Sequence, residues 1–447
     1  MTFDYLFYLR YVYHKNNGER RGGYFTLKTL MEKNQKIFWG WYIVGGAFLV
    51  MGINYGARYC FGVFLKPMAV EFALSRSVIS LAAAINMLVY SFGSIFVGRM
   101  LDRIAPRWIT TAGAIIAACG YVLTGFVSTP LGLYISYGLM VGLGSAGMGV
   151  VACSSSVSKW FINKRGLAIG IASMGISLGT VTLTPLAGYI AGVFSWRVGL
   201  MALGIITLLI GVLVSQTLMR KTNPEASGLL PDGDKTTVIH QVSAAHVLHK
   251  VSLLVIFKDS RFWTLAICQG LAVMISMSVF VHQVAYATDN GIAKMAAAAS
   301  LAAISMTGFM GQFLFGWITD RIKDPKYGSF IGILFMLIGT ILLLNVRTVF
   351  QLYACALIYG FGYGSLAPIL PLLVANRFGR HVVGSIYGLL TFFIGAGGAI
   401  GPVLGGVIYD YFGSYHYLWL INIFVLSFIA LAILTLKKGK QFNTAGS

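Results

Sequence analysis

The chain has 447 residues, of which 57% are apolar and only 10% are charged, and 54 are glycine. Because a soluble domain carries about 25% charged residues, this composition excludes an ordinary soluble protein and indicates a polytopic membrane protein. The formal charge of +20 does not predict nucleic-acid binding, since the lysines and arginines are concentrated in the tails and in alternate loops. That distribution is typical of the cytoplasmic side of a membrane protein.

Twelve apolar segments are each about 20 residues or longer, enough for a helix to span a bilayer core of about 30 Å. Their predicted limits are 38–66, 76–100, 107–127, 131–158, 166–192, 196–218, 262–289, 295–317, 328–346, 350–374, 382–409 and 415–436. We expect two six-helix bundles, residues 38–218 and 262–436, joined by a cytoplasmic linker, residues 219–261. Residues 1–37 and 437–447 are predicted to be cytoplasmic tails, and no cleaved signal peptide is indicated.

No disulfide, metal site or cofactor is predicted. The five cysteines lie inside apolar segments, without a CxxC pair or a histidine at ligand spacing. The linker histidines His240, His246 and His249 lack a well-placed carboxylate or cysteine, which favours a solvated linker over a metal site. The absence of a P-loop, an HExxH motif or a GxSxG elbow in a suitable context argues against an ATP-driven pump and against an enzyme.

The two halves of the sequence repeat at a separation of 218 positions. The shift relates Gly166, Gly170 and Gly179 to Gly384, Gly388 and Gly397. It also relates two charged turns, which follow the second and eighth helices: Gly98, Asp102 and Arg103, with Arg107 beyond, and Gly316, Asp320 and Arg321. Each glycine permits a close helix crossing and each Asp can cap a following helix, so we expect these turns to form a cytoplasmic gate.

The repeated turn resembles the loop signature of the major facilitator superfamily over residues 38–436. The resemblance implies an all-α membrane protein with twelve transmembrane helices in two pseudo-symmetric six-helix bundles, a central cavity and alternating access. Within the superfamily, three stretches resemble the monocarboxylate transporter and oxalate/formate antiporter group: residues 160–179 (WFINKRGLAIGIASMGISLG), residues 223–233 followed by Arg261-Phe262-Trp263, and Trp39-Gly40-Trp41 with Phe61-Gly62-Val63-Phe64.

The anion-binding residues of that group cannot be carried over to this chain. The resemblance to monocarboxylate transporters would place an Asp–Arg pair on helix 8. The resemblance to oxalate/formate antiporters would place an Arg on helix 8 and a Lys on helix 11. Here residues 295–317 carry no charge, and helix 11 has only Asp410 at its end. The acidic residue that usually opens the helix 1 motif is also absent, and Lys36 lies near its place.

Arg58 is the only Lys or Arg well inside a predicted span. Since placing a charge there costs about 2.5–3.5 kcal/mol on insertion scales, Arg58 should face a wet cavity or a partner. Its guanidinium can bind a carboxylate bidentately, while the alternatives are a side chain that snorkels to the outer headgroups or a structural pair. Asn54 lies one turn earlier on the same face, and Tyr59 is adjacent, so both are candidate substrate ligands.

His282 on helix 7, the repeat partner of helix 1, is a candidate substrate ligand and proton carrier. A hydrogen-bonded structural histidine is the alternative. Tyr137 on helix 4 and Tyr363 on helix 10 offer hydroxyl groups to a small polar ligand, although a tyrosine in such a position is more often a core aromatic.

We therefore expect a secondary transporter of a small organic anion, with a monocarboxylate favoured, working by proton cotransport or anion exchange. The alternatives are an efflux transporter for drugs or other small molecules and a transporter-like ligand sensor. Cationic drugs favour buried carboxylates, which the predicted spans lack at mid-depth. The predicted partners are the substrate, a proton and the lipid bilayer, with no nucleic acid. We expect a monomer in the cytoplasmic membrane, with both termini in the cytoplasm.

Overall fold

The computed structural model describes residues 38–74, 76–101, 103–222, 224, 230–233, 253–379 and 382–437. The chain divides into a compact unit, Gly40–Ser447, and a separate unit, Met1–Trp39, of which only Phe38 and Trp39 are described. Several predictions lie outside the described residues: the N-terminal tail, Asp102, the three linker histidines and nearly all of the C-terminal tail. The described residues form helices, turns and loops, with no strand among them.

Within the part of the chain that the structure describes, twelve helices are long and apolar enough to cross a membrane, which confirms the predicted all-α, twelve-span fold. The first six are α1 (Trp39–Tyr59, continued as Phe61–Glu71), α2 (Arg76–Met100), α3 (Pro106–Thr124), α4 (Pro130–Trp160), α5 (Arg165–Val193) and α6 (Trp196–Thr217). The last six are α7 (Ser260–Asp289), α8 (Lys294–Thr319), α9 (Pro325–Leu343), α10 (Val349–Tyr363, continued as Leu366–Phe378), α11 (Val383–Phe412) and α12 (His416–Leu434). The limits of the two six-helix bundles stay predictions.

Side-chain caps fix the start of several helices, because the first backbone N–H groups of a helix have no partner within it. Asp259 and Asp324 accept hydrogen bonds from the second helical residue of α7 and α9. Thr348 and Gln351 form a reciprocal capping box at the start of α10. These polar residues stand between apolar runs, so they mark where each span begins.

The sequence repeat is also a repeat of helix packing. A Cβ on Gly179 of α5 would clash with the carbonyl oxygen of Gly52 of α1. A Cβ on Gly397 of α11 would clash in the same way with Gly270 of α7, and the two pairs are related by the shift of 218 positions. Such small residues let helix backbones touch in lipid, where hydrophobicity alone does not hold helices together.

The two halves meet where α2 packs on α11 and α5 packs on α8. Close contacts lie at the face where α2 and α8 end and α5 and α11 begin, which we call the motif face because the repeated turns lie there. A Cβ on Gly98 would clash with the carbonyl oxygen of Gly384, and one on Gly316 would lie 2.5 Å from that of Gly166. The helix backbones of the two halves are therefore in contact at the motif face.

At the opposite face, Glu71 ties α1 to α6 and explains why α1 continues beyond its predicted end. The Nε1 of Trp196 donates to Glu71 at 2.5 Å, and Nη2 of Arg197 donates to it at 2.7 Å. Arg197 also donates to the carbonyl oxygens of Gly125 and Val127, just after α3. The hydrogen bonds from Arg197, and to a smaller extent the one from Trp196, hold the pKa of Glu71 below its ordinary value.

We expect Glu71→Gln to lower the melting temperature at neutral pH, and the difference from wild type to shrink in acid. A carboxylate with a lowered pKa stabilises the fold above its ordinary pKa of about 4.3, and this contribution is lost as pH falls through the folded pKa. Thermal unfolding of both proteins in detergent across this range measures the effect. The exposed Arg347→Gln should show no such trend. A difference that does not change with pH would contradict the role given to Glu71.

Candidate functional site

Arg58 lies towards the opposite-face end of α1 and turns inward against α2. Its Nε donates to Oδ1 of Asn86 at 2.7 Å, and its Cζ lies 4.4 Å from the centre of the Tyr90 ring. The side chain is only partly buried, whereas Asn86 and Tyr90 are buried. Arg58 is thus held by two uncharged neighbours on α2, with part of its surface accessible.

Three hydrogen bonds link Arg58 on α1 with residues of α2 and α4 in a closed cycle. Asn86 of α2 accepts from Arg58 and donates through Nδ2 to the carbonyl oxygen of Tyr137 on α4, at 2.9 Å. The hydroxyl of Tyr137 donates back to the carbonyl oxygen of Arg58, at 3.1 Å. We call Arg58, Asn86, Tyr90 and Tyr137 the arginine cluster. Tyr137 lies in a π-helical segment, Tyr134–Val141, a geometry that is frequent at functional sites.

The guanidinium of Arg58 keeps most of its hydrogen-bonding capacity unused. Arginine has five N–H groups and no acceptor. One of them bonds to Asn86, and the other four have no protein partner in the part of the chain that the structure describes. No carboxylate pairs with Arg58 within the same part of the chain. The cluster therefore presents a partly accessible, unpaired cation that suits an anionic ligand.

The other predicted ligands of the first half lie on the same helix as Arg58. Asn54 is 3% exposed and donates to the carbonyl oxygen of Ser145 on α4 at 3.3 Å, so its amide joins two helices. Tyr59 is 47% exposed, which makes it the accessible neighbour of Arg58. Tyr363 of α10 packs edge-to-face on the ring of Phe280 on α7.

His282 lies apart from the arginine cluster, between α7, α11 and α12. Its Nε2 is 2.8 Å from the carbonyl oxygen of Pro402, so Nε2 carries the proton, because a carbonyl can only accept. Its Nδ1 is 3.4 Å from the hydroxyl of Tyr415, which can donate to it. Both ring nitrogens thus have partners within the second half. This arrangement favours the hydrogen-bonded structural histidine, and the proton-coupling role stays a prediction.

We expect His282→Gln to lower stability without removing the pH dependence of uptake. Loss of a buried hydrogen bond that leaves its partner unsatisfied costs about 1–3 kcal/mol. Thermal unfolding and a pH profile of uptake in proteoliposomes measure the two effects. Tyr415→Phe is the matched control, because it removes only the weaker contact to Nδ1. A stable variant with a flat pH profile would instead assign proton transfer to His282.

Of the predicted gate residues, Asp320 makes the clearest contact between the two halves. Its carboxylate accepts from the backbone N–H groups of Gly166 at 2.5 Å and Leu167 at 2.7 Å, at the start of α5. An Asp from the second half therefore caps a helix of the first half, where the positive end of the helix dipole favours a negative charge. Burial raises the pKa of Asp320, and the two N–H donors oppose that rise.

A second carboxylate, from the linker, reaches the loop just before α5. Asp232, in a 3₁₀ turn (Pro231–Gly233), accepts from the backbone N–H groups of Ile162 and Asn163 at 2.9 and 2.8 Å. Its φ of 61° lies in the left-handed region that non-glycine residues rarely adopt. Sequence reasoning did not identify this contact, since nothing local links a linker residue to the α4–α5 loop.

The gate arginines are exposed or only partly buried. Arg321 lies over the ring of Trp317, with Cζ 3.5 Å from the ring centre, and Arg107 lies over Trp108. Arg103 is exposed. Asp102, the repeat equivalent of Asp320, lies outside the described residues, so its predicted capping role in the gate stays a prediction.

Sequence reasoning missed Asn86, Tyr90 and a buried ion pair at the motif face. A polar amide such as Asn86 within a transmembrane span is itself a signal of helix–helix hydrogen bonding, and it could have drawn attention. The predicted end of helix 10 at residue 374 left Arg377 in a loop, whereas α10 runs to Phe378 and buries it against Asp324.

Known proteins with a similar sequence are membrane transporters. The family model described as Major Facilitator Superfamily matches residues 47–399 and, in a second match, residues 265–445. Monocarboxylate transporter 13 of Rattus norvegicus is 26% identical over 396 residues, covering 84% of this chain and 84% of the relative. Monocarboxylate transporter 2 of Homo sapiens is 26% identical over 396 residues, covering 86% and 82%.

Solved structures show the same fold at low sequence identity. The proton:xylose symporter XylE, described as a major facilitator superfamily protein, aligns with a TM-score of 0.73 at 13% identity, covering 90% of this chain and 96% of that one. At this identity the likeness extends to the arrangement of the twelve helices and not to a ligand.

Proposed function

This chain belongs to the Major Facilitator Superfamily, and on that premise we propose that it is a secondary transporter for a small organic anion, with a monocarboxylate as the favoured substrate. The observation that carries the proposal is the unpaired guanidinium of Arg58, with four N–H groups free among the described residues. A carboxylate would satisfy two of them in a bidentate, charge-assisted pair. The names of the relatives agree with this chemistry.

Transport would proceed by alternating access between the two halves. We place the motif face in the cytoplasm, together with both termini and the linker, because the basic loops lie on that side. Its close glycine contacts and the Asp320 cap would then have to separate before the anion could leave inward. While they are closed, Arg58 would be reached from the opposite face, past the exposed ring of Tyr59.

Coupling to a proton would not use a carboxylate relay, since no Asp or Glu lies at mid-depth in the spans. The substrate's own proton or exchange against a second anion would serve instead, and His282 would take part only if His282→Gln lost the pH dependence of uptake. An unpaired cation with no buried carboxylate beside it does not suit cationic drugs. Drug efflux and ligand sensing are the two alternatives that the uptake experiment must distinguish from anion transport.

The test is uptake by purified protein in proteoliposomes. Labelled formate, acetate, propionate and pyruvate should accumulate in a saturable way, while propionamide and propylamine should not. Stimulation by an inward proton gradient indicates cotransport, and stimulation by internal unlabelled anion indicates exchange. Uptake of the amine without the acids would favour drug efflux. A rise in melting temperature with a carboxylate, but no flux, would favour the sensor interpretation.

A further inference from the structure

We propose that Asn86 is a positioning residue that turns the Arg58 guanidinium so that the site selects planar carboxylates over tetrahedral anions. The inference rests on the proposed function and extends it to selectivity. Asn86 lies on α2 and is 1% exposed, so it would act through Arg58 without touching the substrate.

A guanidinium can offer an anion two kinds of paired edge. The side edge combines Nε with one terminal nitrogen, and the end edge combines the two terminal nitrogens. Because Oδ1 of Asn86 is 2.7 Å from Nε, the side edge of Arg58 is already occupied. The end edge, Nη1 with Nη2, is the paired edge left for a ligand.

The amide of Asn86 is itself held in one orientation. Its Nδ2 donates to the carbonyl oxygen of Tyr137 at 2.9 Å, while Oδ1 faces Arg58. A flipped amide would place NH₂ against the N–H of Arg58 and oxygen against a carbonyl, losing both bonds. The direction of the Arg58 fork is therefore set by α2 and α4 together.

Tyr90 restricts the remaining freedom of the guanidinium by covering one of its faces. The Cζ of Arg58 lies 4.4 Å from the ring centre of Tyr90, and the hydroxyl of Tyr90 is 2.8 Å from that of Tyr55. With one edge and one face occupied, a ligand meets Arg58 at its end edge. Both anions can pair with that edge, but a carboxylate keeps its carbon substituent in the guanidinium plane, whereas a sulfonate directs one substituent to each side of the plane and so needs room on the side where Tyr90 lies.

The test compares propionate with ethanesulfonate as competitors of labelled acid uptake and as ligands in thermal shift. Wild type should prefer propionate, and in Asn86→Leu this preference should fall by about tenfold, towards equality, because the freed guanidinium can rotate. The preference is a ratio, so it does not depend on the amount of folded protein. Asn422→Leu is the matched control: Asn422 is also buried, but its Nδ2 donates to Ser278 in the second half.

Asn86→Asp provides a second test of the positioning role if the Asn86→Leu protein does not fold. The new carboxylate keeps an oxygen on Nε and pairs with the Arg58 charge, so affinity for both anions should fall about tenfold or more while their ratio is preserved. A folded Asn86→Leu or Asn86→Asp protein with wild-type affinities and ratio would overturn the proposal. A wild type that takes up and binds neither anion nor any other carboxylate would instead reject the proposed function, and the inference with it.

Discussion

Arg58→Gln should reduce the initial rate of carboxylate uptake by about a hundredfold or more. Truncating one partner of a desolvated charge pair costs about 2–5 kcal/mol, and each 1.4 kcal/mol is about tenfold in affinity. Gln keeps a polar group near Asn86 but has no charge and no fork. Initial rates in proteoliposomes at matched protein content, over a range of substrate concentrations, measure the loss.

Two further variants show whether the charge or the fork is responsible. Arg58→Lys keeps the charge but replaces the planar fork by a compact ammonium, which cannot present two parallel N–H groups to a carboxylate, so we expect an intermediate rate with weakened substrate affinity. Arg347→Gln removes one exposed positive charge between α9 and α10, at the same face, and should behave as wild type. Uptake by Arg58→Gln within twofold of wild type would remove Arg58 from the site.

Breaking the ion pair between Arg377 and Asp324 should destabilise the protein strongly. Nη2 of Arg377 lies 2.7 and 2.8 Å from the two carboxylate oxygens, and the side chains are 0% and 4% exposed. Removing one partner leaves an uncompensated buried charge, which costs about 3–5 kcal/mol. Thermal unfolding of Arg377→Met in detergent should therefore show a large fall in melting temperature.

A double variant separates the buried charge from other effects. Asp324→Asn removes the charge but keeps an oxygen that can still cap α9. Combined with Arg377→Met, it leaves neither charge buried, so we expect part of the lost stability to return. If the double variant is as unstable as the sum of the two single variants, the pair contributes through packing rather than through charge.

The sequence by itself determined the membrane class, the twelve spans and the duplication. Apolar length sets where a helix can cross a bilayer, and the shift of 218 positions can be read from the residues alone. It also identified Arg58, because a single cation in an apolar span is costly to bury in lipid and should face a wet cavity or a partner. These conclusions need no information about how one helix is rotated against another.

Only the tertiary structure decided which polar groups meet. Asn86 bonds to Arg58, Asp320 caps α5, and His282 turns to Pro402 rather than to the arginine cluster. Each contact joins residues far apart in the chain. Their geometry depends on the rotation and tilt of whole helices, which backbone contacts between glycines such as Gly52 and Gly179 help to set. Because hydropathy fixes the length of a span but not its rotation among neighbours, no local pattern could have shown these partners.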